Sequence, residues 1–155
     1  MATLEDARLG EIPLGSDGYG EAFVPVGPWS LRVTVERATG AAGPADLFGE
    51  EPADVLGRVL QWAVADGHET VELFLGHHLS EFAPDELAAI AGEEAPAGVE
   101  GLRAALQPIA AHFALGPDGE RQLSVDLGFG VDVTEVVLVV EVDGDGQPFA
   151  VDAES

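Results

Sequence analysis

The 155-residue chain has no cysteine and no lysine. The first absence excludes a disulfide framework, thiolate zinc sites and a cysteine nucleophile. The second leaves six arginines against 29 Asp and Glu, a formal net charge of −23. Such a field repels phosphate backbones and anionic lipid, so neither nucleic acid nor a membrane surface is an expected partner. Long hydrophobic runs are missing as well. No segment approaches the roughly 20 apolar residues of a spanning helix, and residues 1–8 lack the basic and then apolar pattern of a secretory leader, so a cytoplasmic location is expected. Hydrophobic residues nevertheless make up 46% of the chain, which removes the low-hydrophobicity signature of disorder and predicts one folded domain over residues 1–155.

Two hydrophobic periods divide that domain. Over residues 21–36, Trp29, Leu31, Val33 and Val35 alternate with Ser30, Arg32, Thr34 and Glu36, the pattern of a half-buried strand. Ala22, Val24 and Val26 alternate before it and Gly27-Pro28 supplies the turn, so a hairpin is expected, with Pro25 marking its first strand as an edge. After a Gly/Ala/Pro-rich loop at 39–49 the period changes. Pro52 opens an i, i+3, i+4 stripe at Val55, Leu56, Val59, Leu60 and Ala63 that Asp66-Gly67 ends. Val71, Phe74, Leu75, His78, Leu79 and Phe82 form a second stripe, Pro84-Asp85-Glu86 opens a third helix through Ile90, and, past a loop at 92–98, Val99, Leu102 and Leu106 suggest a fourth before Pro108.

Period two then returns. Ile109, Ala111, Phe113 and Leu115 alternate ahead of a turn at 116–119, although so short an apolar run also fits a helix. Leu123, Val125, Leu127 and Phe129 read as the inward side of the return strand. Val136 to Val140 reads as a strand buried on both faces, and Asp143-Gly144-Asp145-Gly146 turns it into a last strand with Phe149 and Val151. The expectation is an α+β fold in ββ-αααα-ββββ order: a mostly antiparallel sheet with the helices packed on one face.

Gly10-Glu11-Ile12, the central Glu69-Thr70-Val71-Glu72-Leu73-Phe74-Leu75-Gly76-His77-His78-Leu79, and the end Leu138-Val139-Val140-Glu141-Val142-Asp143-Gly144-Asp145-Gly146 with Ala153-Glu154-Ser155 carry a resemblance over almost the whole chain. It resembles the bacterial family catalogued as domain-of-unknown-function family 2004, the paired histidines and the terminal Glu-Ser being the most specific marks. Where that family typically has Phe-Asp-Tyr, Val125-Asp126-Leu127 keeps the Asp and loses both aromatics. The resemblance implies a small α+β bacterial protein and brings no activity with it.

Three constellations bear on chemistry. On a helix, His77 reaches Glu81 at i+4 and His78 reaches it at i+3. Neighbouring histidines point about 100° apart, so a shared metal needs ligands from elsewhere. The plainer reading pairs a surface histidine with Glu81 and packs His78 on the apolar stripe. Asp143, Asp145, Gln147 and Glu154 mimic the spacing of a calcium loop, but Pro148 occupies the position that needs glycine and strands flank it, which leaves an Asp-Gly hairpin turn. Arg32, His112 and Asp126 share the polar side of the sheet, where a histidine oriented by a carboxylate is a general-base arrangement. No nucleophile stands in a recognisable motif beside it, so the plainer reading is a solvated face with Asp126 paired to an arginine. The glycines at 15–20 precede a strand and lack a lysine, so they are not a phosphate loop.

These features point first to a non-catalytic acidic protein that binds a basic protein partner, as an immunity protein or regulatory adaptor does, with Arg32, His112 and Glu81 as candidate binding residues and no cofactor or metal. The alternatives are a small metal-dependent hydrolase using His77, His78 and Asp126, and a self-associating structural protein that pairs a sheet edge into a homodimer.

Overall fold

A computed structural model describes residues 2–37, 46–65, 68–91, 98–116, 120–129 and 136–154. Four strands, β1 (Ala2–Asp6), β2 (Gly10–Leu14), β3 (Tyr19–Val26) and β4 (Trp29–Arg37), lead into α1 (Pro52–Val64), α2 (Glu69–Glu81), α3 (Pro84–Ala91) and α4 (Val99–Ala105). Four more follow: β5 (Gln107–Leu115), β6 (Arg121–Gly128), β7 (Val137–Val142) and β8 (Pro148–Glu154). All eight form one sheet in sequence order, antiparallel except for the parallel pair β4–β5 that the four helices bridge. The fold is therefore α+β with a mainly antiparallel sheet. No helix among the described residues is long and apolar enough to cross a membrane.

The helices form for the reasons their stripes suggest. Val55, Leu56, Val59 and Ala63 of α1 and Val71, Phe74 and Leu75 of α2 are buried against the inner face of the sheet, where Leu31, Val33 and Val35, Ala111 and Phe113, Leu123, Val125 and Leu127, and Leu138 and Val140 meet them in one core. Pro52 starts α1 at a position whose N–H has no helical partner in any case. Glu86 reaches back to the N–H of Ala83 at 3.1 Å and closes the start of α3.

Arg103 of α4 grips Glu72 of α2 through both terminal nitrogens, Nη1–Oε1 at 2.6 Å and Nη2–Oε2 at 2.9 Å, and this hydrogen bond holds the Glu72 carboxyl below its ordinary value. The ion pair thus contributes above that ordinary value and loses its contribution as pH falls through the lowered one. Glu72→Gln should cost about 0.5 kcal/mol at neutral pH, the carboxylate being half exposed and screened. Urea midpoints of the two proteins should converge as pH falls through the lowered value, and a gap unchanged by acid would contradict the ionic origin.

The structure departs from the sequence reading in several strands. The chain starts with two hairpin-linked strands that the ββ expectation lacked: β1 and β2 pair from Ala2↔Leu14 to Asp6↔Gly10. Leu4, Ile12 and Leu14 are their buried apolar side chains, too few for a readable period. These strands make β3 third in the sheet, not its edge, but β2 pairs with it only at Leu14↔Gly20, so Pro25 still avoids a ladder that needs its missing N–H. The register slips between Pro108 and Ala110, which leaves Ile109 as a bulge residue out of the inward row, and a second slip beside Val142 leaves Phe149 61% exposed. Finally, β7 is half-buried and not buried on both faces: Leu138, Val140 and Val142 point into the core while Val137 and Val139 lie on the opposite, partly exposed face. Residues 107–115 are strand. The loops at 39–49 and 92–98, the Asp66-Gly67 stop and the turn at 116–119 fall wholly or partly outside the described residues.

Candidate functional site

The helices cover one face of the sheet, and the described residues leave the other open. Register turns that face into cross-strand rows. One row runs Tyr19, Glu36, Ala114, Gln122. The next runs Glu21, Thr34, His112, Ser124, Glu141, and the third Phe23, Arg32, Ala110, Asp126, Val139, Asp152. Directly opposed and diagonal residues on one face lie within reach of long side chains, and the interactions follow that rule. Arg32 turns diagonally to Glu21, with Nη2–Oε2 at 2.8 Å and Nε–Oε2 at 2.9 Å, and this bond raises the guanidinium above its already high ordinary value. His112 turns diagonally over the small Ala110, with Nε2 2.8 Å from Asp126 Oδ2, and its Nδ1 lies 2.6 Å from Thr34 Oγ1.

In the tautomer that carries its proton on Nε2, that nitrogen donates to the Asp126 carboxylate and Nδ1 accepts from the Thr34 hydroxyl. A hydroxyl on a base oriented by a carboxylate has the outline of a nucleophilic triad. Two features argue against that use. Thr34 is 6% exposed, which leaves little room for an electrophile, and β4, β5 and β6 are paired on both sides, so their ladders consume the N–H groups that an oxyanion would need. The chain is a satisfied polar network embedded in the sheet face.

Beside it the face is hollow. Small Ala114 and Ser124 sit among longer neighbours, leaving a depression of about 360 Å³ lined also by Tyr19, Glu36, Gln122 and Glu141. Glu36 and Glu141 have no ion pair among the described residues, whereas Arg8, Arg32, Arg58 and Arg103 are already bound to carboxylates. Of the other two arginines, Arg121 bonds the carbonyls of Leu47 and Gly144 and Arg37 lines the adjoining pocket beside Glu36 without closing an ion pair to it, so both carboxylates at the hollow stand without a paired charge. Phe23 and Tyr19, 69% and 43% exposed, flank it on β3.

The expected residues separate into two places. Arg32, His112 and Asp126 do share this face, but Asp126 pairs with His112 instead of an arginine. His77, His78 and Glu81 sit on α2, across the core. His78 is 2% exposed and packs on Phe74, Phe82 and Phe129, with Nδ1 2.8 Å from the Phe74 carbonyl. His77 and Glu81 are exposed with no ion pair between them, and among the described residues no group of three or more His, Asp and Glu is placed to hold a metal ion. The hydrolase constellation of His77, His78 and Asp126 is thus not brought together. The sequence reading missed Thr34 as the partner of His112, and Glu36, Glu141 and Tyr19 as the rim. Compared with known proteins, the chain matches no family model, no curated protein and no solved structure.

Proposed function

We propose that this protein is a non-catalytic cytoplasmic binding protein that docks a basic protein partner on the open face of its sheet, in the manner of an immunity protein or a regulatory adaptor. The observation that carries this reading is the pairing, on one uncovered face, of exposed aromatics with carboxylates that no arginine neutralises. Aromatic side chains supply the anchoring area of protein interfaces, and complementary charge supplies approach rate and selectivity. Self-association through the sheet edges fits less well, because Glu5 on β1 and Asp152 and Glu154 on β8 place like charges along both edges.

A photo-crosslinking side chain at position 23 should capture a polypeptide rich in arginine and lysine, and one at the exposed Leu73 of α2 should not. The complex should dissociate as salt rises toward ~0.5 M, where screening shortens to a few ångströms. Phe23→Ala should weaken it about tenfold, the cost of losing one anchoring aromatic. Capture from position 73 alone, or binding indifferent to salt, overturns the reading.

A further inference from the structure

The hollow beside His112 has a shape as well as a charge. Glu36 stands on β4 and Glu141 on β7, three strand spacings apart and one row out of line. That places their backbones about 14 Å apart across the strands and about 7 Å apart along them. Between them the floor is low, because Ala114 and Ser124 carry the shortest side chains of the lining, and His112 is fixed below by Asp126. Tyr19 stands next to Glu36 in the same row. Arg32, the one arginine among the described residues that line the hollow, is already held by Glu21.

We infer that this trough receives an extended segment of the basic partner, with one cationic side chain on Glu36 and a second, four residues along, on Glu141. The inference rests on the docking reading above and adds the partner's conformation and residue spacing. An extended chain advances about 3.4 Å per residue, so positions i and i+4 lie about 13.6 Å apart, and long side chains close the remaining distance. The even spacing also puts both cations on the same side of the segment. The first cation meets the Tyr19 ring as well as a carboxylate, a pairing that favours arginine. The residue midway, i+2, faces the floor and must be small or able to hydrogen-bond with Ser124 and Gln122.

Two synthetic nine-residue peptides of identical composition test this, each with two arginines in a Ser/Thr/Ala background, one spaced i, i+4 and the other i, i+1. Titrated into the labelled protein by NMR, the first should bind about tenfold tighter and shift the Ser124 and Gln122 signals. Glu36→Gln and Glu141→Gln, both at exposed positions, should each erase that preference without altering the fold. Equal binding of the two peptides, a preference that survives both substitutions, or the same shifts arising from concentration alone through a second copy of this chain would overturn the trough assignment. If salt-sensitive crosslinking from position 23 persists in any of those cases, only the trough fails. Absence of both peptide binding and a crosslinked basic partner removes the docking reading with it.

Discussion

Asp6→Ala should lower the unfolding free energy by about 3 kcal/mol, because it strips the acceptor from three backbone N–H groups at once. Oδ1 accepts from Arg8 N at 2.9 Å and Leu9 N at 2.8 Å, closing the β1–β2 turn, while Oδ2 accepts from Leu47 N at 2.7 Å. The residue is 6% exposed, so water replaces these bonds poorly. The bond to Leu47 has reach beyond the hairpin. It fixes the segment that carries Leu47 and Phe48 into the core, where Phe48 meets Phe113 edge-on with ring centres 5.0 Å apart. Asp6→Asn should recover little, since the amide keeps one acceptor and turns two donors toward groups that are already donors. Urea unfolding should show a lowered midpoint at unchanged slope for both variants. A loss below ~0.5 kcal/mol for the alanine variant would mean that the hairpin is held by Leu4, Ile12 and Leu14 alone.

How far this architecture was legible follows from where its information resides. Each helix announces itself locally: the stripe from Val55 to Ala63, Pro52 and Pro84 at the starts, and the return to alternation after Pro108 are features of neighbouring residues. The strands at 29–37 and 121–128 are equally local, since one buried face imposes period two. What failed depended on distant partners. Val137 and Val139 make β7 look doubly buried, but whether a second layer covers them is decided by where the helices pack. Asp6 reads as an ordinary acidic turn residue until the fold brings Leu47 to it across 41 positions of sequence.

The candidate site shows the same division. The phases of three strands place Arg32, His112 and Asp126 on one side, which was readable. That Thr34 faces His112 across 78 positions depends on the parallel register of β4 against β5, set by a four-helix crossover that no local pattern encodes. Likewise, the diagonal choice of Asp126 for His112 and of Glu21 for Arg32 is made by small Ala110 and by the rows, not by charge counting. The histidine pair on α2 is the converse case. His78 on an apolar stripe, read as packing, is a core residue, and the prominence of His77-His78 in the sequence draws attention away from the face where exposed aromatics and unpaired carboxylates gather.

His112→Ala should destabilise the protein by about 2 kcal/mol, chiefly by orphaning its two partners and not by lost packing. The Asp126 side chain is 17% exposed and Thr34 is nearly buried, so each loses a hydrogen bond that solvent only partly restores. Thr34→Val, close in shape, should cost about 1 kcal/mol. Combined with His112→Ala it should cost less than the sum, because the Thr34 hydroxyl has already lost its partner in the histidine variant. Strict additivity would mean that the two groups act independently. The same variants separate a structural network from a catalytic one. With Thr34 shielded and both Thr34 and His112 paired to a strand on either side, hydrolysis of an activated ester such as p-nitrophenyl acetate should be equally slow in the parent, Thr34→Val and His112→Ala. A fast parent reaction abolished by Thr34→Val, with transient acetylation of that residue, would instead make the hydroxyl a nucleophile and the protein an enzyme. On the geometry as it stands, the relay holds β4, β5 and β6 in register beneath the trough, so weakening it should loosen peptide binding only as far as it loosens the floor on which the peptide lies.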